Sequence, residues 1–236
     1  MTIPVFIVPV ISRFDLLERM LRSIDEPIER GLIVDNARSD YQRPDWAPPE
    51  LGVYAPPFDS LGWAGSLNFG IGQTPDAPWW FWSSNDIVFG SGDLAKITEY
   101  MESATEARIV TFDYAWGAFN QAVAQQVGLF DEWNYWPIYY DDTDFDYRCR
   151  LAKIDRIRYT GNIKHGAGDH QTSLTVASSE SFAKANGITY ALNYKAYAEK
   201  WGGPPGEERF TTPWGQAWPL WATRPDLEAR AARTWR

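Results

Sequence analysis

The sequence is poor in several residue types, and each shortage narrows the classes of protein that it can encode. Its single cysteine, Cys149, excludes an intramolecular disulfide framework. Its 22 Lys and Arg residues face 31 Asp and Glu, and the net charge of −9 argues against non-specific nucleic-acid binding, which needs a basic surface. No apolar run approaches the roughly 20 residues that span a bilayer. The apolar start of the chain has no basic segment before it, so we expect a cytoplasmic protein without membrane insertion.

Three well-known ligand-binding loops are also missing. The sequence has no G-x-x-x-x-G-K-[ST] phosphate loop, and LGWAGSLNFGIG (61–72) lacks the G-x-G-x-x-G spacing of a dinucleotide site. Asp142, Asp144 and Asp146 have the spacing that begins a helix–loop–helix calcium site. That site fails further on, because the required Gly is Tyr147 and the bidentate Glu is Lys153.

What is present is typical of a globular α/β protein. The chain has 236 residues, of which 44% are hydrophobic and 16% aromatic, enough for the core of one domain with or without an appendage. Apolar runs and helical periodicity predict a strand–helix–strand opening at 4–11, 14–24 and 32–37. The pattern then predicts strands at 52–57, 79–89, 107–115 and 155–160, and helices at 61–72, 92–101, 118–132, 178–201 and 226–233.

Such an opening predicts a parallel sheet, in which ligands bind beyond the carboxyl ends of the strands. Polar pairs come at strand ends, as Asp35–Asn36 and Asn85–Asp86, and His165 follows later. The segment YYDDTDFDYRCR (139–150) places four carboxylates within six positions. This density costs stability through like-charge repulsion, which points to a metal, a cationic group or proton transfer. The structural alternative is that some of these acids only start a helix.

Several segments in this order resemble the GT-A glycosyltransferases, in particular glycosyltransferase family 2 and its rhamnosyltransferase-like members. The resemblance covers about residues 3–170 and is carried by VPVISRFDLLERMLRSI (8–24), LIVDNA (32–37), LGWAGSLNFGIG (61–72), SSND (83–86), GLFDEWNYWPIYYDDTDFDYRCRLAK (128–153) and IKHGAG (163–168). SSND stands at the place of the family's D-x-D motif, and the 128–153 segment has its aromatic run, acidic pair and downstream Arg.

The resemblance implies a GT-A fold, an α/β fold with a Rossmann-like, mostly parallel sheet flanked by helices and followed by a helical or irregular extension. It implies a catalytic domain at 1–175, with a nucleotide-sugar half at 1–90 and an acceptor half at 91–175, and a C-terminal helical extension at 176–236. The implied function is transfer of a hexosyl or deoxyhexosyl group from a UDP-, dTDP- or GDP-sugar to an acceptor hydroxyl. The reaction would be inverting and would use Mn²⁺ or Mg²⁺. The acceptor would be a glycan or a protein Ser/Thr.

The resemblance also implies roles for particular residues. Asp142 is the first choice as general base, with Asp141 and Asp144 as alternatives, and the metal ligands are Asp86 and His165. The remaining candidates for nucleotide-sugar binding are Pro9, Ser12, Arg13, Asp35, Asn36, Gly65, Asn68, Asn85 and Asp86, and those for acceptor binding are Trp116, Trp136, Tyr139 and Tyr140.

Two departures from the family pattern leave alternatives open. Ser84 replaces the first Asp of the D-x-D motif, so only Asp86 there is a strong metal ligand. The acidic pair is Asp141–Asp142 where Glu-Asp is common. Asp35 could instead cap a loop, His165 could be structural, and Arg148 could simply neutralise the acids. A non-catalytic carbohydrate- or nucleotide-sugar-binding protein is therefore an alternative. A nucleotidyltransferase is disfavoured because VPVISRF stands where its Gly-rich basic loop would be.

Overall fold

The computed structural model describes residues 1–166 and 180–223. Its strands are β1 (Ile3–Val10), β2 (Ile28–Asp35), β3 (Leu51–Tyr54), β4 (Trp79–Ser83), β5 (Ile87–Val88), β6 (Arg108–Thr111), β7 (Trp116–Asn120), β8 (Asp155–Arg158) and β9 (Lys164–His165). Its helices are α1 (Phe14–Arg22), α2 (Gly62–Gln73), α3 (Asp93–Glu102), α4 (Gln121–Val127), α5 (Asp141–Leu151) and α6 (Glu180–Trp201), and a 3₁₀ turn covers Pro213–Gly215.

Seven strands form one sheet in the order β3-β2-β1-β4-β7-β6-β8. The first four of these are mutually parallel, and β7 runs antiparallel to both of its neighbours, β4 and β6. The carboxyl ends of β1, β2, β4 and β6 therefore lie at one edge of the sheet, together with the start of β7. Strands β5 and β9 form a separate two-stranded ribbon. The expected mostly parallel α/β sheet flanked by helices is confirmed.

The core covers both faces of the sheet, which explains why β1 reads as a continuous apolar run rather than as an alternating one. All eight residues of β1 are buried. Phe6 and Val8 face α1 and α3, whereas Val5 and Ile7 face the side of α2, α4 and α5. The tryptophans of β4 divide in the same way, with Trp79 on the first face and Trp80 and Trp82 on the second.

A smaller aromatic cluster joins α5 to α6. It consists of Tyr135, Tyr140, Tyr147, Tyr197 and Trp201, all buried. Helix α6 continues through Gly187 without a break. Tyr197 and Trp201 of α6 pack against Tyr140 and Tyr147.

The structure corrects three element predictions. The strand expected at 79–89 ends at Ser83, and a turn follows in which the Ile87 backbone N–H donates to the carbonyl of Ser84. The strand expected at 107–115 ends at Thr111, whose hydroxyl accepts the backbone N–H of Tyr114 and so begins a turn.

The helix expected at 118–132 is the second half of β7 followed by α4. Asn120 separates the two elements, since its side chain accepts from the Val123 N–H as an N-cap. Gly128 ends α4 with a φ of 76°, a backbone conformation that favours glycine.

Three features lie outside the described residues: the helix predicted at 226–233, the residue His170 and the domain boundary predicted at 175/176. The division into two domains therefore stays a prediction. Within the described ranges, no helix is long and apolar enough to cross a membrane.

Candidate active site

The end of β2 is tied into the protein by its own polar side chains. The buried Asp35 carboxylate accepts the backbone N–H groups of Ala37 and Ser39 at 3.0 and 2.8 Å, and also the Ser39 hydroxyl. Asn36 donates to the Ser66 hydroxyl and accepts from the Leu61 N–H at 2.8 Å. Asp35 therefore caps the loop after its strand, and Asn36 fixes the entry to α2.

Two candidates on α2 also have contacts within the chain. Asn68 makes a two-point hydrogen bond with the backbone of Phe130, with its amide donating at 2.8 Å and accepting at 3.1 Å. At Gly65, a Cβ atom would lie 2.8 Å from a carboxylate oxygen of Glu132, so glycine permits the close approach of that acid. Both residues join α2 to the segment that precedes the acidic helix.

The loop after β4 is joined to the loop after β1. Asn85 donates its amide to the carbonyls of Ser12 and Arg13, at 2.9 and 3.2 Å. Arg13 has a φ of 56° and pairs with the exposed Asp15. Pro9 is buried in β1 beside Val34, and the Ser12 hydroxyl is buried without a hydrogen-bond partner. The structure thus brings the candidates from β1 and β4 together at one edge of the sheet.

Asp86 and His165 meet where the small ribbon of β5 and β9 crosses that edge. The His165 Nε2 lies 3.5 Å from Asp86 Oδ1, and its Nδ1 lies 3.1 Å from Asp113 Oδ2. The Ser84 hydroxyl donates to the same Asp86 oxygen. Asp113 and then Asp86 raise the pKa of His165 to about 10. Burial raises the pKa of Asp86, but hydrogen bonds from His165 and Ser84 outweigh it and leave that pKa below its usual value.

Two of these side chains, Asp86 and His165, are of the types that can bind a cation. The described residues contain no set of three or more His, Cys, Asp or Glu side chains placed to hold a metal ion. Asp86 and His165 are nevertheless spaced as two ligands of one ion could be, and Asp113 orients the far nitrogen of the imidazole, as carboxylates commonly do behind a metal-binding histidine. Mg²⁺ and similar ions take one or two protein ligands and fill the others with phosphate oxygens and water. The donor set therefore fits a metal that is held jointly with a diphosphate.

The four acids of 141–146 lie in the first turns of α5 rather than in a loop before it. The structural alternative is thus correct as to position, but the individual environments differ. Asp141 is buried, one of its oxygens has no hydrogen-bond partner, and burial followed by the charge of Asp142 raises its pKa well above the usual value. Asp142 is half-buried. Burial raises its pKa, although Thr143 donates its backbone N–H at 2.7 Å and its hydroxyl.

Asp144 is enclosed by donors. Arg148 Nε, Lys200 Nζ and Trp201 Nε1 each lie 2.8 Å from one of its oxygens, and its side chain is fully buried. Burial raises the pKa of Asp144, but the charges of Lys200 and Arg148 more than offset this and lower it. These contacts occupy both oxygens, so Asp144 joins α5 to α6 and is poorly placed to receive a substrate proton. Arg148 has the neutralising role that the sequence left open.

The aromatic candidates have different environments. Trp116 is 2% exposed and stacks on Phe81 in the core, so its ring is not accessible to an acceptor. Trp136 is 43% exposed, Tyr139 is half-buried and Tyr140 is buried directly before Asp141. Tyr139 and Tyr140 have φ values of 78° and 69°, a conformation that costs roughly 1 kcal/mol or more per non-glycine residue.

Asn193 of α6 holds this strained segment in place. Its amide donates to the carbonyls of Ile138 and Tyr139 at 2.9 and 3.2 Å. Nearby, the Pro137 carbonyl accepts the Trp63 N–H at 2.7 Å at the start of α2. The loop before Asp141 is therefore shaped by groups from α2 and from the C-terminal helix.

A series of contacts connects the two acidic groups. Asp113, which orients His165, is followed by Tyr114, whose hydroxyl donates to Asp146 at 2.8 Å. Asp146 lies on α5 one turn after Asp142. The Asp86–His165–Asp113 group and the acidic start of α5 are thus neighbours along the same edge.

Sequence reasoning missed several residues that shape this site, namely Asp113, Tyr114, Asn193, Lys200 and Trp201. Asp113 was placed inside a strand, although a polar residue after an apolar run is a usual turn signal. Asn193 and Lys200 lie on a helix that gave no functional motif, and they had no local signal.

No protein-family model matches the sequence, and no curated protein matches it. Solved structures do resemble it. The mannosyltransferase PcManGT from Pyrobaculum calidifontis, in complex with GDP-Man and Mn²⁺, matches with a TM-score of 0.53 and 14% identity over 98% of this chain and 78% of that chain. S. aureus TarS 1–349 matches with a TM-score of 0.53 and 10% identity over 84% of this chain and 70% of that chain.

A further structure of S. aureus TarS matches with a TM-score of 0.50 and 12% identity over 71% of this chain and 37% of that chain. At such low identities the likeness establishes the fold alone. The chain therefore has a GT-A-like α/β fold, which it shares with a mannosyltransferase.

Proposed function

We infer that this protein is a glycosyltransferase that moves a sugar from a nucleotide-diphosphate sugar to an acceptor hydroxyl. The observation that supports this inference is the presence of two polar groups that are connected through Asp113, Tyr114 and Asp146. One group is Asp86, His165 and Asp113, and the other is the acidic start of α5. The structural likeness to a mannosyltransferase that binds GDP-Man supports the same reading, as does the order of motifs along residues 3–170.

Asp142 is the proposed general base. Asp144 is bound by Lys200, Arg148 and Trp201, and Asp141 is buried. Asp142 keeps partial exposure, and its raised pKa makes it a stronger base than an ordinary aspartate. It would take the proton of the acceptor hydroxyl as the oxygen attacks the anomeric carbon, opposite the leaving diphosphate, which gives inversion.

Asp86 and His165 would hold a divalent cation, Mn²⁺ or Mg²⁺, against the diphosphate. Such an ion supplies positive charge as the leaving group becomes more negative. Ser84 stands where the family pattern has a carboxylate, and its hydroxyl orients Asp86, so fewer protein groups would be available to hold the ion. Because His165 is strongly basic in this setting, its proton must leave when the ion binds.

The test is a binding comparison on the purified protein. Thermal shift and calorimetric titration with UDP-, dTDP- and GDP-sugars are run with Mn²⁺ and with chelator, on the wild type, Asp86→Ala and Asp142→Asn. We expect one nucleotide to stabilise the wild type only with metal. Asp86→Ala should abolish this stabilisation, whereas Asp142→Asn should retain donor binding and lose transfer or hydrolysis of the sugar.

The results discriminate between the alternatives. If Asp142→Asn keeps full turnover, Asp142 is not the base. If no nucleotide sugar stabilises the protein, the transferase proposal is wrong and a binding protein on this fold becomes the better explanation. Binding that is equal with and without metal would remove the cation from the proposal and leave the transfer itself intact.

A further inference from the structure

A group of tyrosines extends from the proposed base onto the C-terminal helix. Tyr140, which precedes Asp141, has ring-centroid distances of 5.2 Å to Tyr190 and 5.8 Å to Tyr194. Tyr139 lies 5.5 Å from Tyr190. The Tyr190 and Tyr194 side chains are substantially exposed, at 51% and 42%. We call these four residues the tyrosine platform.

The platform adjoins the proposed catalytic residue. Burial is the main cause that raises the pKa of Tyr140. A side-chain hydrogen bond to Tyr190, the neighbouring tyrosines and the charge of Asp142 raise it further. Tyr140 directly precedes the acidic start of α5, and its ring contacts both helix tyrosines. A ligand whose hydroxyl reaches Asp142 would have the rest of its body beside Tyr190 and Tyr194.

The ring geometry leaves aromatic surface available. The Tyr139–Tyr190 and Tyr140–Tyr194 pairs have interplanar angles of 72° and 68°, so one ring meets the other by its edge rather than covering its face. Sugar rings have an apolar C–H face and a rim of hydroxyls. Tyrosine matches both parts, with an apolar ring and a polar tip, and loses little conformational entropy on binding.

The same segment is poorly suited to binding a peptide by strand addition. In that mode an extended peptide pairs its backbone with free backbone groups of the protein. Here the carbonyls of residues 137, 138 and 139 already accept hydrogen bonds, from Trp63 in the first case and from Asn193 in the other two. Side-chain surface is thus the main resource that this segment offers to a ligand.

From these contacts we propose that Tyr190 and Tyr194 of α6 bind the acceptor and that this acceptor is an oligosaccharide rather than a protein Ser/Thr. This inference rests on the proposed glycosyltransferase function. Residues from the C-terminal helix then bind the sugar units beyond the one that is modified. The platform sets the specificity for the acceptor, whereas the donor is bound at the sheet edge.

The experiment uses fluorescently labelled full-length protein on a printed array of diverse oligosaccharides, beside an array of Ser- and Thr-containing peptides. The variants are Tyr190→Ala, Tyr194→Ala and Tyr190→Phe. Leu192→Ala is the matched control, because Leu192 is 62% exposed on the same helix and belongs to no cluster described above. Circular dichroism confirms that each variant is folded, and nucleotide-sugar binding is measured on the same preparations.

We expect the wild type and Leu192→Ala to retain the same class of oligosaccharide. Each alanine variant at the platform should bind it about tenfold more weakly, while Tyr190→Phe keeps most of the affinity because the ring remains. Donor binding should be unchanged in all variants.

Three outcomes would overturn the inference: equal glycan binding by Tyr194→Ala and Leu192→Ala, binding of peptides alone, or no glycan binding by wild type that binds its donor. In each case intact donor binding leaves the proposed function standing. Loss of donor binding by the wild type would instead contradict the proposed function itself.

Discussion

At the scale of single residues, two helical glycines have opposite surroundings. A Cβ atom at Gly187 in α6 would meet no atom within 4 Å, whereas one at Gly70 in α2 would lie 2.7 to 3.0 Å from three carbon atoms of Ile7. Glycine in a helix costs roughly 0.5–1 kcal/mol relative to alanine because of its backbone entropy. Gly187 is therefore a local weakness, and Gly70 is required by the packing of α2 on β1.

Gly187→Ala should raise the free energy of unfolding by about 0.5–1 kcal/mol. Gly70→Ala should lower it, since the added Cβ atom would overlap with Ile7 of β1, which is buried against α2 and has no space to move away. Urea denaturation of the two variants measures both changes. A gain in stability at Gly70 would show that this packing is looser than the contacts indicate.

At the scale of elements, α6 is attached to α5 through buried charge. Lys200 is 1% exposed and lies 2.8 Å from both Asp131 and Asp144. Replacing one member of a buried pair leaves its partner desolvated and uncompensated, which usually costs more than the pair contributes. The charged contacts thus specify where α6 docks, in addition to the apolar contacts of Tyr197 and Trp201.

Lys200→Met should reduce the free energy of unfolding by about 3 kcal/mol, because two acids lose their shared cation. Lys195→Met is the matched control on the same helix. Lys195 is 75% exposed, and its ion pair with Glu199 is long, at 3.9 Å. Its effect should be close to zero. Equal effects of the two substitutions, measured by chemical denaturation, would contradict the docking role of Lys200.

At the scale of the whole molecule, stability depends on pH through acids whose pKa values move in opposite directions. The pKa of Asp144 is lowered on folding, so its contribution is present above the unfolded value of about 3.9 and is lost as the pH falls through the folded value. The pKa of Asp141 is raised. Its charge therefore destabilises the fold above that pKa, and acidification relieves the cost until about pH 3.9.

Asp144→Asn should consequently lower stability at pH 7 by about 2 kcal/mol or more, with a loss that shrinks below about pH 4. Asp141→Asn should raise stability at pH 7 by about 1 kcal/mol, with a gain that disappears near pH 4. Urea denaturation curves between about pH 2.5 and about pH 8 test both. Changes of the same sign would show that the two acids share one environment.

The extent to which sequence predicts this molecule follows the range of the interactions. The opening strand–helix–strand unit was predicted well, because apolar periodicity records burial directly. The β6–β7 turn was missed because its signal consists of one Asp within an aromatic stretch. The contact of Lys200 with Asp131 spans 69 positions and depends on how α6 docks, which no local pattern encodes.

The same contrast between local signals and long-range contacts applies to the polar residues predicted for the site. Asp86 and His165 were named from their motif positions, and the structure places them together. Asp35, Asn36 and Asn68 were named as ligand-binding residues, but their hydrogen bonds within the chain could be seen only in three dimensions. Their roles in ligand binding stay predictions, whereas the contacts that the structure shows for them fix the shape of loops.

The hold of Asn193 on the 138–139 carbonyls has a consequence for how the protein is made. Synthesis proceeds from the N-terminus, so the sheet and its edge emerge from the ribosome before α6 does. A nascent chain that ends before Asn193 would contain Asp86, His165 and Asp142 without the group that fixes the loop beside them. The loop before Asp141 can therefore take its final form only after α6 has been synthesised, which leaves a shorter nascent chain with a sheet and a loop that is not yet fixed.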